Sequence, residues 1–483
     1  MAKDKESLSR LEKLEQIKKG RKSPYPSSVC KNLSIKDARS KKNKKVAVAG
    51  KLLSIRNHGK STFMDLRDQS GSIQLYFKKD VLGDEKYDFI NLLDSGDYID
   101  ASGEVFTTKA GEITIRVENF SLLSKTLLPI PDSWYGLKDV ETRYRKRHLD
   151  MLINEQVRRT LETRSKIINN LRSFMDKSGF VEVETPVLQM IPGGAAAKPF
   201  ITHYNILKQD MYLRISPELY LKRMVVGGFE KVFEIGKNFR NEGLSHMHNP
   251  EFTMMEFYWA YQDYRGLMEF TQDLISTVIK NTKKSLEVEY QGDIINFAPP
   301  YRIVSFRDLV MTDCGIDIFK YPDFDSLKKE VNKKGIELDF KSITVWVKLV
   351  DELYKKVSRP KIVEPIFLVD HPIELTPLAK AHDNNPRIAQ RFQLVCGKGI
   401  ELINAYTELN DPLEQEKRFS EQVKMSKQGW DESAMMDQDF VEALKYGLPP
   451  TAGWGMGIER IAMLLTDNYS IKEVIPFPTL KNK

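Results

Sequence analysis

The residues best suited to chemistry lie in one stretch, 233–258, which reads FEIGKNFRNEGLSHMHNPEFTMMEFY. It brings together a guanidinium, two carboxylates, an imidazole and an aromatic ring, at Arg240, Glu242, Glu256, His248 and Phe252. A guanidinium fork can bind a phosphate, a carboxylate can accept a hydrogen bond from an exocyclic amine, and an aromatic ring can stack on a purine. The set therefore favours a nucleotide site, and an exposed hairpin held by salt bridges is the alternative.

Alternating apolar and polar residues on both sides of this stretch predict a β-hairpin. The first strand begins at Val232 and ends near Phe239, and the return strand covers 251–258. Because side chains on a strand alternate between its two faces, Phe252 and Glu256 share a face. The hairpin would thus gather the candidate residues along one face and its loop.

A second group of polar residues lies at 401–412, in the sequence ELINAYTELNDP. On a strand, Asn404, Tyr406 and Glu408 share one face. An acidic, aromatic-lined slot costs several kcal/mol to desolvate unless a cation fills it. The pattern predicts a cation-binding slot, and a structural ion pair is the alternative.

Two shorter segments precede the hairpin and add candidates. The loop PGGAAA at 192–197 contains Gly194, and its small residues let the backbone approach a ligand. The segment RISPELY at 214–220 places Ser216 and Glu218 at a predicted turn from a strand into a helix.

Near the C-terminus, residues 453–460 read GWGMGIER and open an apolar helix. Glycines before a helix N-terminus let the backbone approach a phosphate, and Arg460 would meet that phosphate one turn into the helix. A lone G-x-G-x-x-R pattern is a weak signal, so its weight comes from its position after the other segments.

Five short alternating segments between residues 46 and 123 predict a small barrel of the oligonucleotide-binding (OB) type. Phe63 and Gln74 lie on neighbouring predicted strands. An aromatic ring there can stack on a base while an amide reads its edge. Taken singly, either residue could be an ordinary member of the barrel surface.

Basic residues are concentrated ahead of this barrel. Residues 1–45 carry 15 Lys and Arg against 5 Asp and Glu, whereas the net charge of the whole chain is +7. Leu8, Leu11, Leu14 and Ile17 recur at helical spacing and predict a short amphipathic helix that ends near Gly20. Such a basic arm suits a polyanionic partner, and a solvated tail is the alternative.

The composition narrows the class of protein. A chain of 483 residues is expected to hold more than one domain. Its three cysteines, Cys30, Cys314 and Cys396, are far apart, which predicts neither a disulfide framework nor a zinc site and fits a reducing compartment. No apolar run approaches about 20 residues, and the N-terminus is polar, so we expect a cytoplasmic protein with no membrane span.

In the middle of the chain, the residue pattern predicts a helix from Tyr144 to about Ser178 and then a strand over 179–186. Pro186 cannot donate to a sheet, so this strand should lie at an edge or an interface. We assign no chemistry to residues 302–360, which we expect to form helices and loops. The predicted divisions are a basic helical extension (1–43), the barrel (44–124), a linker (125–145) and a catalytic domain (146–483).

These segments together resemble the class II aminoacyl-tRNA synthetases. GFVEVETP, FRNEG…HNPEF and GMGIER are similar to their motifs 1, 2 and 3, and occur in that order. Within the class the chain resembles the lysyl enzymes, because its slot is acidic where an aspartate pocket would need cations. The resemblance implies an α+β fold, with a five-stranded OB barrel followed by a catalytic domain whose antiparallel sheet is flanked by helices.

The resemblance also implies roles for individual residues. Arg240 and Arg460 would be catalytic and, with Glu242, His248 and Phe252, would bind ATP. The lysine-binding set would be Gly194, Glu218, Glu256, Tyr258, Asn404, Tyr406 and Glu408. Glu401 and Glu408 would bind Mg²⁺, while Phe63 and Gln74 would bind the anticodon of tRNA(Lys). Motif 1 would build a homodimer.

One departure from the family pattern concerns the metal. The family usually has Glu where this chain has Gln393, and the segment from Arg391 to Glu401 is one residue longer than usual. Other possible functions are an inactive relative that only binds tRNA, or a relative that lysylates a protein. The intact Arg240, Glu242 and Arg460 disfavour the first, and the barrel disfavours the second.

Overall fold

A computed structural model describes residues 2–20, 23–130, 137–195, 197–341, 343–427 and 436–481. Part of the linker expected at 125–145, and one residue of the predicted 192–197 loop, lie outside these ranges. The chain divides into two compact units, Met1–Lys138 and Asp139–Lys483. Within the described ranges no helix is long and apolar enough to cross a membrane.

The N-terminal unit is a helix followed by a closed barrel. Its elements are α1 (Ala2–Lys19), α2 (Ile35–Arg39), β1 (Lys45–His58), β2 (Ser61–Arg67), β3 (Ser72–Lys78), α3 (Lys79–Leu82), α4 (Asp84–Asp88), β4 (Tyr98–Thr107) and β5 (Ile113–Ser124). The five strands close in the order β1-β2-β3-β5-β4, which confirms the predicted five-stranded barrel.

Side-chain alternation explains why these segments form a barrel. In β2 every second residue is buried, and Met64 and Leu66 point into a core with Leu75 and Ile115. A period of two places one set of side chains inside the barrel and leaves the other set outside. The predicted N-terminal helix is also present, and it buries Ile17 in the same core.

The C-terminal unit is larger and combines a central sheet with helices. Its elements are α5 (Val140–Arg145), α6 (Arg147–Ile153), α7 (Glu155–Lys177), β6 (Val181–Glu182), β7 (Leu188–Gln189), β8 (Ile201–Tyr204), β9 (Gln209–Leu213), α8 (Glu218–Val226), β10 (Lys231–Phe239), β11 (Glu251–Ala260), α9 (Tyr264–Lys283), β12 (Glu287–Tyr290), β13 (Asp293–Asn296), β14 (Arg302–Ser305), α10 (Phe306–Cys314), α11 (Phe324–Lys333), α12 (Trp346–Val357), β15 (Ile366–Val369), β16 (Ala381–His382), β17 (Asn385–Ala389), β18 (Arg391–Cys396), β19 (Ile400–Thr407), α13 (Pro412–Lys427), α14 (Gln438–Lys445), β20 (Thr451–Gly457), α15 (Ile458–Leu465) and α16 (Ile471–Val474).

The central sheet has eight strands in the order β14-β15-β18-β19-β20-β11-β10-β6. The six inner strands are antiparallel, as predicted, but each edge strand runs parallel to its neighbour. The sheet is therefore mixed and not wholly antiparallel.

One face of this sheet packs on helices and the other carries the polar candidates. Phe257 on β11 stacks on Trp454 of β20 with ring centroids 4.9 Å apart, and the indole N–H donates to Thr271 of α9 at 3.0 Å. Because side chains alternate along a strand, Glu256 and the glycines that flank Trp454 face the other way.

The structure corrects two expectations about residues 144–186. The continuous helix is instead three helices, with breaks at Lys146 and Asn154. Beside the first break, the buried Arg147 donates to the carbonyls of Ile475 and Pro476, and these tertiary hydrogen bonds stabilise the interruption. The strand is reduced to Val181–Glu182 and pairs in parallel with β10. It does lie at the edge of the sheet, as Pro186 predicted.

Candidate functional site

The predicted hairpin is present and forms one wall of a pocket. β10 and β11 pair antiparallel from Lys231↔Trp259 to Phe239↔Glu251. The pocket has a volume of about 280 Å³. Seven residues singled out from the sequence line it, namely Arg240, Glu242, His248, Phe252, Glu401, Asn404 and Arg460.

Arg240 and Phe252 form the inner wall of this pocket. The Arg240 guanidinium lies over the Phe252 ring, 5.1 Å from its centroid. Glu242, Glu256 and Glu401 all act electrostatically on Arg240. The guanidinium therefore lies among carboxylates, two of which also line the pocket, and beside an aromatic ring that a flat ligand could contact.

His248 stands on the hairpin loop, where Ser245 Oγ lies 2.9 Å from its Nδ1. Partial burial and then the charges of Arg460 and Arg240 lower the pKa of this imidazole. The imidazole is therefore neutral at physiological pH. It can hydrogen-bond a nucleotide without competing with the arginines for the charge of the phosphates.

Arg460 is placed by the first turn of α15, and its Nη1 donates to the Glu401 carbonyl at 2.7 Å. Burial alone would raise the pKa of the Glu401 carboxyl, but Arg460, Arg359 and Arg391 outweigh it and the net shift is downward. Glu401 is therefore an ionised carboxylate among cations.

The glycines of GWGMGIER precede a helix, as predicted, but they lie on a strand that the sequence did not predict. They belong to β20, an inner strand of the sheet. A Cβ on Gly453 would come within 2.0 Å of Glu408 Oε1 and 2.5 Å of a Tyr258 ring carbon. These glycines therefore make room for side chains that stand on the site face of the sheet.

Next to the pocket lies the predicted acidic slot, and it is closed. Ser216 Oγ donates to both Glu256 oxygens at 3.0 and 3.1 Å, and Tyr406 donates to Glu218 Oε1 at 2.8 Å. Glu218, Glu256, Tyr258, Tyr406 and Glu408 are all buried.

Gly194 borders the same slot. Its φ is +85°, and a Cβ there would approach Glu218 Cβ to 2.8 Å and Ser216 Oγ to 3.0 Å. Both its backbone conformation and its surroundings require a glycine.

The slot also contains a residue that the sequence reading missed. The Lys222 ammonium donates to Glu218 Oε1 at 2.6 Å and forms an ion pair with Glu408, and its side chain is fully buried. Lys222 follows Glu218 by four residues on α8, a spacing that could have revealed the pair. On sequence alone this spacing suggests a surface salt bridge.

Burial without full charge compensation changes the ionisation of the slot. It raises the pKa of Glu256 to about 8, and the charge of Glu218 adds to this effect. Burial likewise raises the pKa of Glu408 well above its ordinary value, although Lys222 opposes the shift. The unliganded slot therefore holds a proton that a cationic ligand would displace.

The residues around Glu401 do not build a cage for a metal. Gln393 Oε1 lies 3.1 Å from His371 Nε2, and the Gln393 side chain contributes to the lowered pKa of the Glu401 carboxyl. The Glu408 carboxylate is engaged by Lys222. Across the part of the chain that the structure describes, no group of three His, Cys, Asp or Glu side chains is arranged to hold a metal ion.

The β18–β19 pairing contains a bulge, and its extra residue is Leu402 on β19. Gln393 pairs with Asn404, but the β18–β19 register shifts between Leu394 and Val395. Because Leu402 lies outside the segment from Arg391 to Glu401, this bulge does not account for the residue by which that segment is longer than usual.

Residues 302–360, to which we assigned no chemistry, contribute Arg359 to the surroundings of Glu401. Arg359 Nε donates to the Gly399 carbonyl at 2.6 Å, two residues before Glu401. The sequence around Arg359 contains no motif, so only the tertiary structure reveals this position.

In the barrel, Phe63 stacks on Tyr76 with ring centroids 4.8 Å apart. Gln74 Oε1 accepts a hydrogen bond from Thr114 at 3.0 Å. Both residues are partly exposed, and β2 and β3 are neighbours in the barrel, as predicted. Tyr76 was not singled out from the sequence.

Comparisons with known proteins agree with this geometry. A family model described as tRNA synthetases class II (D, K and N) matches residues 139–481, and one described as OB-fold nucleic acid binding domain matches residues 46–123. The chain belongs to this class II synthetase family.

Curated members of the family align along nearly the whole chain. A lysine–tRNA ligase from Pelotomaculum thermopropionicum is 47% identical over 439 residues, covering 91% of this chain and 87% of that protein. One from Thermotoga maritima is 44% identical over 485 residues, covering 98% and 95%. A third, from Aquifex aeolicus, is 47% identical over 438 residues, covering 90% and 73%.

Proposed function

We propose that this class II synthetase activates L-lysine with ATP and transfers it to the 3′ end of tRNA(Lys) for translation. One observation carries the proposal. A polar pocket and a closed acidic slot lie side by side on one face of the sheet, and the charge of Arg240 acts on both Glu256 and Glu401. The relatives named lysine–tRNA ligase support the choice of substrate.

In the first step, a lysine carboxylate oxygen attacks the α-phosphorus of ATP. A C–O–P bond forms, and the bond from the α-phosphorus to the β,γ-pyrophosphate breaks. No side chain serves as nucleophile, so rate comes from alignment and from charge stabilisation in a dry site. Arg240 would hold the carboxylate and the α-phosphate, and Arg460 would hold the γ-phosphate.

Other pocket residues would position the nucleotide. Phe252 stacks on adenine, while Glu242 and His248 hold the base and its phosphates. The neutral state of His248 suits this role. In the slot, Glu218 would bind the α-ammonium of lysine, and Glu256, Glu408 and Tyr258 would bind its ε-ammonium, with Asn404, Tyr406 and Gly194 lining the space.

The proposal includes Mg²⁺, with Glu401 as its protein ligand. An ionised carboxylate beside the pocket suits a cation that takes one or two protein carboxylates and completes its shell with phosphates and water. When bound, the ion would neutralise phosphate charge during the transfer. Gln393 and Glu408 are engaged elsewhere, so Glu401 is the main protein ligand in this scheme.

In the second step, a ribose hydroxyl of the tRNA attacks the lysyl carbonyl carbon. An ester bond forms, the bond from that carbon to the phosphate oxygen breaks, AMP leaves with the bonding electrons, and the hydroxyl proton is released. Recognition of the anticodon would fall to the barrel, where Phe63 and Tyr76 offer a stacked aromatic surface and Gln74 an amide. The basic N-terminal helix would add phosphate contacts.

A homodimer and a cytoplasmic location complete the proposal. Apolar side chains are exposed within motif 1, at Val181, and in the segment that follows it, at Leu188, Met190 and Ile201. A second copy of the chain would cover them. The cytoplasm is where a translation enzyme meets tRNA, ATP and free amino acids.

Pyrophosphate exchange into ATP, measured with each of the twenty amino acids, tests the proposed function. Lysine should support exchange at least about 100-fold better than aspartate or asparagine, because the acidic slot would repel the side-chain carboxylate of aspartate and the neutral amide of asparagine would leave the slot's carboxylates without a cation. Exchange that aspartate or asparagine supports best would refute the assignment. Absence of exchange with every amino acid would favour a tRNA-binding relative without activity.

A further inference from the structure

Lys222 belongs to the slot, yet it has no part in the reaction described above. Its ammonium contacts Glu218 and Glu408 and reaches no solvent. Three aromatic ring centroids lie 5.7–5.9 Å from its Nζ, those of Phe440, Tyr406 and Tyr258. The Lys222 ammonium is therefore surrounded by two carboxylates and three aromatic rings.

The charges of the ionisable groups in the slot indicate a role for the Lys222 ammonium. The slot contains three carboxylates, at Glu218, Glu256 and Glu408, and one cation at Lys222. With all four of these groups ionised, they carry a net charge of −2. Free lysine carries two ammonium groups, and its carboxylate is assigned to Arg240 outside the slot. The bound complex would then be neutral, which a buried site requires.

We propose that Lys222 is a positioning residue that sets the charge of the slot to match a diammonium amino acid. It neutralises one carboxylate permanently, and it fixes Glu218 and Glu408 so that their remaining oxygens face the substrate. The inference rests on the proposed lysine site.

An alternative arrangement predicts that Lys222 is displaced when lysine binds. Lys222 could occupy the place of the substrate ammonium and leave when lysine binds. The charge count disfavours this, because a displaced Lys222 would need another buried anion or a path to solvent. Lys222 lies on α8, and its ion pair with Glu408 joins this helix to the segment after β19.

The variant Lys222→Met separates these possibilities in the full-length protein. If Lys222 is a positioning residue, its replacement leaves Glu218 and Glu408 without their shared counter-charge. The KM for lysine in pyrophosphate exchange should rise by roughly 10²-fold or more, while the KM for ATP stays within about threefold. An unchanged or lower KM for lysine would overturn the proposal, since a displaced or merely structural lysine predicts that result.

Lys125→Met is the matched control. Lys125 is also a buried lysine that bridges two carboxylates, Asp94 at 2.5 Å and Asp97 at 2.7 Å, but it lies in the N-terminal unit. Its loss should leave the KM for lysine unchanged. An equal rise in both variants would show a general effect of removing a buried lysine, and would overturn the proposal.

A crystal structure of the wild-type protein with lysine gives a test that does not depend on a variant that folds. Lys222 Nζ should remain bonded to Glu218 and Glu408 with lysine present, and its displacement would overturn the inference. Wild-type exchange keeps the two proposals apart. If wild type uses lysine and Lys222→Met does so equally well, only this inference fails, whereas a wild type that does not use lysine removes the proposed function.

Discussion

At the scale of single residues, the ionisation of each buried carboxylate depends on the charges around it. Glu401 is ionised because three arginines surround it, whereas Glu256 is buried with another carboxylate nearby and holds a proton. The same side-chain type therefore serves two purposes on one face of the sheet. Glu401 suits metal and phosphate chemistry, and Glu256 suits a cation that displaces its proton.

The raised pKa of Glu256 predicts that lysine binding depends on pH. Below about pH 8 the carboxyl is protonated, and an arriving ammonium must expel that proton. Lysine affinity should therefore rise by up to about tenfold per pH unit between pH 6 and 8 and then level off. Calorimetry at pH 7 in buffers of different ionisation enthalpy should detect proton release. Affinity that does not vary with pH, without proton release, would contradict the assignment.

The departure at Gln393 predicts a change in magnesium requirement. Its amide contributes to the lowered pKa of Glu401 but lacks the charge that makes carboxylates preferred ligands of hard cations. Gln393→Glu should lower the magnesium concentration that gives half-maximal exchange at saturating ATP. His371→Gln, which alters the other partner of Gln393, is the control for local packing. Superimposable magnesium titrations would place position 393 outside the metal environment.

At the scale of elements, strand alternation was sufficient to predict the hairpin and which of its residues share a face. It was insufficient for β20, because three glycines in seven residues have low β-propensity and gave no sign of a strand. The reason for these glycines lies in residues distant in sequence, such as Glu408 and Tyr258. The Lys222 pairing was missed for the same reason, since only the fold brings Glu408 to α8.

Replacing Gly453 by alanine tests the close packing of β20. The added Cβ would overlap Glu408 and Tyr258, so both side chains must move. The variant should lose at least about 100-fold in kcat/KM for lysine, and overpacking should cost about 1–3 kcal/mol of stability. Gly227→Ala is the control, because Gly227 has φ −72° and a Cβ there approaches no atom closer than 3.3 Å. Equal losses in both variants would contradict a specific role for Gly453.

At the scale of the whole molecule, the two units divide the proposed work, and this division could be predicted from the order of motifs. The barrel closes with the strands expected from the sequence, and the three motifs fall in the C-terminal unit. Residue-level details of the barrel surface were harder to predict. The stacking of Phe63 on Tyr76 depends on the register between β2 and β3, which turn composition alone does not reveal.

Phe63→Ala tests whether the barrel contributes to tRNA charging without affecting amino-acid activation. Loss of the ring should remove about 1–3 kcal/mol of base stacking and weaken tRNA aminoacylation, while pyrophosphate exchange remains unchanged. Tyr98→Ala, which removes an exposed aromatic ring on β4, should affect neither reaction. If Phe63→Ala damages both reactions equally, Phe63 is a folding residue.

The central claim is that one sheet face carries two adjacent subsites, one for ATP and one for lysine, and a pair of variants tests it most directly. In pyrophosphate exchange, Glu408→Gln should lower kcat/KM for lysine by roughly 10² to 10³·⁵ and leave the KM for ATP nearly unchanged. Phe252→Ala should do the reverse, with a KM for ATP raised by about tenfold or more and a nearly unchanged KM for lysine. If each variant raises both KM values equally, or if Glu408→Gln affects only ATP, the two subsites are not where the structure suggests.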